Sequence, residues 1–543
     1  MSHPEKNNSP LLIAALIALC NTTLAIAAPP KMDLLFPSGG SRGATVNVTI
    51  TGAIEPWPVQ AWSSRPELQI KPLEEKGKLA ITIPADCPPG LAWIRLHNAE
   101  GASSLRPFLI GTLPEVEEVE PNNEITKAQV LPSSTVVVHG KHQAGNDVDI
   151  FVVPLKAGQT LVADLDAHRS LGAPSDPVLQ IVSPQGFVID QNDDDQGIDP
   201  RLVFTAPADG QYLVRTFAFP AATDSNINFS GGANWLYRLT LTTDRFADFT
   251  LPLAVTRGTA GEVTAFGWNL GAEPLKVHFP AGDAERISLV IPQAGNVVTV
   301  PTVTYPVLVE QEPNPQTQPQ AFPVPGGMSG IVSTADDADF FRFTAKKGQP
   351  LLVKVAARSQ GSLIDPVVSI LNLDGKQMQR IDDKGDDRDP ELTWNPPADG
   401  DYFVTVGDLF RRGGPRYYYH VSIAPPQADF QVTVAADQFV LPVDKPLEIP
   451  VTIDRQAGFK DELEITVRGL PEGVTAMPVK SAAEGDSSKS VKVILTGNPA
   501  AFSGVLQIVA TSVAEPKPTR LARFKLPDYP SDTDQIWLTV IKK

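Results

Sequence analysis

The chain repeats itself, and the repeat leaves little choice of fold. Lys156-Ala157-Gly158-Gln159 returns as Lys346-Lys347-Gly348-Gln349, and Asp176-Pro177-Val178-Leu179 returns as Asp365-Pro366-Val367-Val368. Asp199-Pro200-Arg201-Leu202 returns as Asp389-Pro390-Glu391-Leu392, and Pro207-Ala208-Asp209-Gly210-Gln211-Tyr212 as Pro397-Ala398-Asp399-Gly400-Asp401-Tyr402. The landmarks keep their order, which makes residues 306–425 a tandem copy of residues 113–245. Between them run stretches such as Thr160-Leu161-Val162-Ala163-Asp164-Leu165, short runs read as the strands of a sandwich. No stretch of useful length carries the period of a helix. The expected fold is all-β, a tandem array of β-sandwich domains.

The flanking segments read the same way. At 543 residues the chain is too long for one core. Residues 28–112 are expected to form a sandwich, with Thr45-Val46-Asn47-Val48-Thr49-Ile50-Thr51 as a strand and Cys87-Pro88-Pro89-Gly90 as a turn. Residues 246–305 look like a shortened copy of it, since Leu251-Pro252 and Arg257-Gly258 match Phe36-Pro37 and Arg42-Gly43. So short a piece is expected to lean on its neighbours. Residues 426–543 give a last sandwich, whose closing strand Ile536-Trp537-Leu538-Thr539-Val540 is followed by no sorting-anchor pattern.

Residues 1–27 read as a secretory signal: Lys6 in a polar start, an apolar run from Leu11 to Leu19, and Ala25-Ile26-Ala27 at the cleavage point. The expected location is secreted, extracellular or periplasmic. After cleavage only Cys87 remains of the 2 cysteines, so no intrachain disulfide is expected. No later apolar run approaches the roughly 18 residues of a membrane span. With 62 acidic against 45 basic side chains, a net of −17, the chain lacks the cationic surface that nucleic acid requires.

The sequence contains no His-Glu-x-x-His and no phosphate-cradling Gly-x-x-x-x-Gly-Lys, and no catalytic role is expected. His139 and His142 lack a third ligand and are expected at the surface. Asn192-Asp193-Asp194-Asp195-Gln196-Gly197 and Asp382-Asp383-Lys384-Gly385-Asp386-Asp387 lack the closing Glu of a calcium loop and are expected to be solvated turns. Tyr417-Tyr418-Tyr419 reads as a closing strand with core tyrosines, or else as a contact patch beside Arg411-Arg412.

Two pairs of phrases carry the functional signal. Glu118-Val119-Glu120-Pro121-Asn122-Asn123 is answered by Asn146-Asp147-Val148-Asp149. The second copy has Glu310-Gln311-Glu312-Pro313-Asn314-Pro315 and then Asp336-Asp337-Ala338-Asp339. If folding brings the phrases of a pair together, about five to seven hard oxygen donors converge, which suits Ca²⁺ and, with no His or Cys adjacent, suits Zn²⁺ poorly. The plain alternative is linker chemistry, with Pro keeping the chain extended and Asn capping a turn.

On these motifs, taken with the Lys-x-Gly-Gln and Ala-Asp-Gly-x-Tyr turns, both repeats resemble the bacterial pre-peptidase C-terminal (PPC) family. The first sandwich resembles small Ig-like, TIG-type domains of exported proteins. PPC domains are β-sandwiches found beside secreted peptidases and are related to the collagen-binding domains of clostridial collagenases. The resemblance implies calcium ligands at Glu118, Glu120, Asn122, Asn123, Asn146, Asp147 and Asp149, and again at Glu310, Glu312, Asn314, Asp336, Asp337 and Asp339. Asn146 stands where the second copy has Asp336, and Pro315 leaves only a backbone carbonyl where the family often has Asp or Asn. The expected function is a secreted binding or adhesion protein whose calcium-braced modules meet extracellular protein or polysaccharide. The alternative is an accessory or substrate-targeting subunit of a secreted peptidase.

Overall fold

A computed structural model describes residues 28–541, apart from 223–227, 386, 443, 498 and 499. The leader read over residues 1–27 lies outside the described residues. Strand makes up 52% of the protein and helix 3%, and the fold is a tandem array of β-sandwiches. The burial of each strand follows its alternation: in Ser490–Gly497 the apolar Val491, Val493 and Leu495 are buried while their neighbours are exposed.

Both repeats are built from two facing five-stranded sheets in one strand order. In the first repeat one sheet runs Glu115–Glu117, Val136–Lys141, Leu236–Thr242, Thr160–Asp166, Arg201–Thr205. The other runs Gln129–Val130, Asp149–Leu155, Gly210–Pro220, Ser175–Val182, Val188–Asn192. Val138, Phe151, Val153, Leu165 and Leu239 meet between them in one core. The second repeat matches strand for strand, from Val307–Val309 beside Gly326–Ile331 to Gln377–Ile381 beside Pro366–Leu371. Its core holds Phe341, Phe343, Trp394 and Tyr419. The segment between the repeats has two three-stranded sheets around Val263, Val277, Leu289 and Val300. Larger cores lie at residues 32–110 and 430–540.

The acidic phrases are not free linkers. Glu115–Glu117 adds in parallel to Val136–Lys141 in one sheet, and Gln129–Val130 adds in parallel to Asp149–Leu155 in the other. The phrase between them therefore bridges the two sheets at an open edge of the sandwich. The second repeat does the same with Val307–Val309 and Gln320–Ala321. One glutamine fastens each bridge. Gln129 Oε1 accepts from Val119 N at 2.8 Å and its Nε2 donates to Glu117 O at 3.1 Å. Gln320 makes the matching pair with Gln311 N at 2.8 Å and Val309 O at 3.2 Å.

The acidic turn 192–197 departs from the solvated turn expected of it. Asp195 is drawn into a junction of ion pairs: Arg416 of the second repeat meets both its oxygens, at 2.6 and 2.9 Å, and reaches Asp248 Oδ2 at 2.7 Å. Arg201 binds Asp248 Oδ1 at 2.6 Å and Asp164 Oδ1 at 2.8 Å. A planar guanidinium grips carboxylates in pairs, which lets two arginines join three segments of chain. Tyr418 and Tyr419 are core residues, as a closing strand requires. The first and last sandwiches also touch, with Trp62 edge-on to Trp537 at 5.7 Å and buried Arg95 paired with Asp437.

Among the described residues, Arg416→Ala leaves Asp195 and Asp248 with Arg201 as their one remaining ion-pair partner. It is expected to destabilise the protein by about 3 kcal/mol, as breaking a buried ion pair does. Chemical denaturation of wild type and variant checks this, and an unchanged midpoint would contradict it.

Candidate metal centres

Folding brings the paired phrases together. In the first repeat, carboxylate oxygens of Glu120, Asp147 and Asp149 lie within 4.8 Å of one another, and in the second those of Glu310, Glu312 and Asp339 do so. Asp149 and Asp339 face inward at the start of a central strand and are wholly buried. The phrase lies across this edge, held by Glu118 N donating to His139 O at 2.9 Å and by Glu310 N donating to Ser329 O at 3.0 Å.

A tyrosine on the facing sheet organises each cluster. Tyr237 Oη contacts Glu118 Oε2 at 3.0 Å and Asp149 Oδ2 at 2.8 Å. Tyr419 repeats this with Glu310 Oε2 at 2.9 Å and Asp339 Oδ2 at 2.6 Å. A single phenolic proton can satisfy one oxygen at a time, so two carboxylates share one donor. The approach needs glycine beside it. A Cβ at Gly140 would collide with Tyr237 and Glu118, and one at Gly330 with Tyr419 and Glu310.

The remaining residues divide. Asn122 and Asn314 are buried at the base of the phrase, and their backbone N–H groups bond Glu120 and Glu312, each at 3.0 Å. Asn123 is exposed and donates to Asp147 Oδ1 at 2.8 Å. Asp337 accepts from Ser333 N at 3.0 Å and Ser333 Oγ at 3.1 Å. Asn146 and Asp336 stand outside the carboxylate groups, with φ of 66° and 63°. They occupy left-handed turn positions, which Asn and Asp tolerate better than most residues. Asp336 faces Arg411 at 3.7 Å.

Among the described residues, no Lys or Arg pairs with Glu118, Glu120, Asp147, Asp149, Glu310, Glu312, Asp337 or Asp339. His142, expected at the surface, is instead buried 3.8 Å from Asp149, and burial pushes its pKa down to about 3. It is neutral and contributes no positive charge. His139 is buried too, bonded to Glu115 at 2.6 Å. His142 sits behind the acidic edge against Tyr237, whereas His139 lies on the outer face of its strand, close to Gly39 of the first sandwich.

Uncompensated burial shows in the acids themselves. Burial pushes Glu118 up to about 8 against the Tyr237 hydrogen bond, with the Glu120 and Asp147 charges adding to the rise. Burial and the Glu118 charge raise Asp149 well above the carboxylate range. In the second repeat burial takes Glu310 up to about 7, and burial with the Glu310 charge takes Asp339 up to about 9. Several polar atoms are left over: Asp149 Oδ1, Asp339 Oδ1, both amide atoms of Asn122 and Nδ2 of Asn314 are buried without a hydrogen-bond partner. Such atoms are rare in folded proteins and cost about 1–3 kcal/mol each when left so. An oxygen-rich, negatively charged edge with orphaned oxygens fits a hard cation.

Comparisons with known proteins do not name this arrangement. No family model matches the chain. A "Probable subtilase-type serine protease" of Deinococcus radiodurans is 29% identical over 136 residues, covering 24% of this chain and 17% of its own. Among solved structures, trypsin-activated α2-macroglobulin of Escherichia coli is 11% identical at a TM-score of 0.15, covering 95% of this chain and 49% of that one. The insect immune protein hemolin is 11% identical at a TM-score of 0.21, covering 91% and 99%.

The raised acids set the sign of the pH response. The folded, metal-free protein holds protons on Glu118 that the unfolded chain releases near 4.5, so this stability is full below that pH and lost as pH rises through about 8. The melting temperature of chelator-treated protein should fall over that interval. Glu118→Gln, which keeps the shape without the charge, should flatten the fall. Calorimetric scans at stepped pH decide it, and a melting temperature that rises across the interval would contradict the assignment.

Proposed function

We propose that the protein is a secreted, non-catalytic binding scaffold whose two repeats each hold a Ca²⁺ ion where the acidic phrase bridges the sheets. Its sheet faces are then available to extracellular protein or polysaccharide. The observation that carries the cation is the orphaned buried carboxylate oxygen, Asp149 Oδ1, which recurs as Asp339 Oδ1. In the first repeat Glu118, Glu120, Asp147, Asp149 and Asn122 would hold the ion. In the second Glu310, Glu312, Asp339 and Asn314 would do so, with Asp337 beside them. The resemblance of these phrases to those of calcium-binding PPC domains supports the same sets.

When bound, the ion supplies the positive charge that the edge lacks. The side chains do the rest. Tyr237 and Tyr419 orient the paired carboxylates. The glutamine clamps hold the bridge across both sheets. A phrase drawn to both sheets ties each repeat to the segment before it, which is the work asked of a scaffold. The lack of a His-Glu-x-x-His motif in the sequence supports a role other than that of a zinc peptidase.

The relative in Deinococcus radiodurans favours a second reading, an accessory or substrate-targeting subunit of a secreted peptidase. The match is close to one repeat in length and covers a small share of a peptidase chain. A module carried on a protease there would here be carried on a separate chain. Stable co-purification with a hydrolase would favour this reading over the free scaffold.

Calorimetric titration of Ca²⁺ into chelator-treated protein tests the cation. Two sites are expected, one removed by Glu120→Ala and the other by Glu312→Ala. Each should add about 2.7 kcal/mol of stability when free Ca²⁺ exceeds the dissociation constant about a hundredfold. No heat of binding and unchanged melting would overturn the proposal.

A further inference from the structure

The two repeats share a strand order but not the character of one edge. In the first repeat Val188–Asn192 closes its sheet, pairing with Ser175–Val182 and, among the described residues, with no strand on its outer side. Phe187 is 72% exposed, Val188 47% and Ile189 46%. An exposed apolar edge is a template for another chain, and proteins commonly blunt it with lysine, proline or a bulge. The second repeat places Lys376, Gln377, Met378, Gln379 and Arg380 where the first has Phe187, Val188, Ile189, Asp190 and Gln191. Both edges carry a bulge, so the bulge does not account for the difference.

The charge differs as well. Between Gly186 and Asp199 the first repeat has no Lys or Arg, whereas Lys376, Arg380, Lys384 and Arg388 lie in the matching stretch of the second. Asp195 and Asp199 are engaged internally. Asp190, Asp193 and Asp194 have no Lys or Arg within ion-pair distance among the described residues. Burial and the Asp194 and Asp193 charges push nearby Asp176 up to about 6.

The outer face specifies what would fit. Val130, Val152, Leu213, Val182 and Val188 follow one another across all five strands, paired neighbour to neighbour. Beside this apolar row, Arg215 Nε donates to Gln180 Oε1 at 2.7 Å and Gln180 Nε2 donates to Gln191 Oε1 at 2.5 Å. Both rows end at the open edge. A further strand would extend the first with an apolar side chain beside Val188 and the second with a hydrogen-bonding one beside Gln191.

We propose that Val188–Asn192 is the docking edge for an extended segment of a partner protein in which apolar side chains alternate with Lys or Arg. The segment adds to the sheet as one more strand. Main-chain hydrogen bonds supply attachment, and alternate side chains supply selectivity. The aspartates prefer a cationic partner over a second copy of this chain, which would bring Asp190, Asp193 and Asp194 against their equals. The inference gives the binding reading a partner class and rests on that reading. It does not rest on calcium, which the titration above tests separately.

A labelled ten-residue peptide of alternating valine and lysine tests it on the full chain, with a control peptide holding the same residues in two blocks. Saturable binding of the alternating peptide is expected, with the block peptide at least about tenfold weaker, or about 1.4 kcal/mol. The double variant Val188→Lys, Ile189→Lys copies the blunted edge at exposed positions and should weaken binding by a similar factor without moving the melting temperature. Asp190→Lys, which leaves the apolar residues in place, should weaken it independently. Equal binding of both peptides, no binding, or binding unchanged in the variants overturns the proposal. A concentration-dependent dimer that the double variant abolishes would assign the edge to a second copy and overturn it too.

Discussion

A buried carboxylate without a cation beside it is the constraint that each repeat is arranged around. Asp149 and Asp339 sit at the inner start of a central strand, where an ionised group costs several kcal/mol unless something answers its charge. Protonation is one answer and a bound cation is the other. The parts that make the pocket occur in both copies: Gly140 and Gly330 for the close approach, Tyr237 and Tyr419 for the shared proton, Asn122 and Asn314 beneath the phrase. Linker chemistry alone gives no reason for a tyrosine on the opposite sheet to share its hydroxyl between two acids.

Much of this was legible in the sequence because duplication and period-2 patterning are local signals. Strands such as Asp149–Leu155 and Leu351–Ala356 form where alternation places them, and the paired phrases meet because both flank one sandwich edge. What stayed hidden depends on contacts across the fold. Tyr237 reads as an ordinary strand tyrosine until its hydroxyl is seen to reach Glu118, 119 residues away. Its alignment with Tyr419 was a usable signal, as was that of Gln129 with Gln320. His139 and His142 were misplaced because an HxxH spacing within a strand says nothing about which layer covers it. Asn146 and Asp336 carry oxygen side chains, yet the backbone needs them for a left-handed turn.

The acidic turn 192–197 was misread for a related reason. Composition makes a run of aspartates look solvated, and Asp193 and Asp194 have no Lys or Arg within ion-pair distance among the described residues. Asp195, one residue on, is paired with Arg416 from a stretch of chain 221 residues distant. That junction, with Asp248 and Arg201, gives the array a relative orientation that alternation cannot encode. Such pairs contribute little net stability compared with a packed apolar contact, but they penalise misplacement heavily, since a slipped module strands a buried charge. Apolar contact fills the rest, with Phe249 stacked on Tyr418 at 3.9 Å beside the ion pairs.

The two edges are not interchangeable. In the second repeat Val332 replaces His142, Ser333 holds Asp337 through its amide and hydroxyl, and Arg411 stands near Asp336. The first repeat answers the corresponding carboxylate with donors of its own, Gln143 N and Asn123 Nδ2 on Asp147. In the first repeat the neighbouring imidazole is neutral, and Asn146 replaces the aspartate that could draw in an arginine. The acids are pushed up at both edges, Glu118 to about 8 and Glu310 to about 7, with burial the largest cause in each. Losing Asp at position 146 therefore does not relax the first edge, because the residue lies outside the carboxylate group that carries the strain. Burial sets the rise in both repeats, where Asp149 and Asp339 are equally enclosed and Tyr237 and Tyr419 seal the edge from behind.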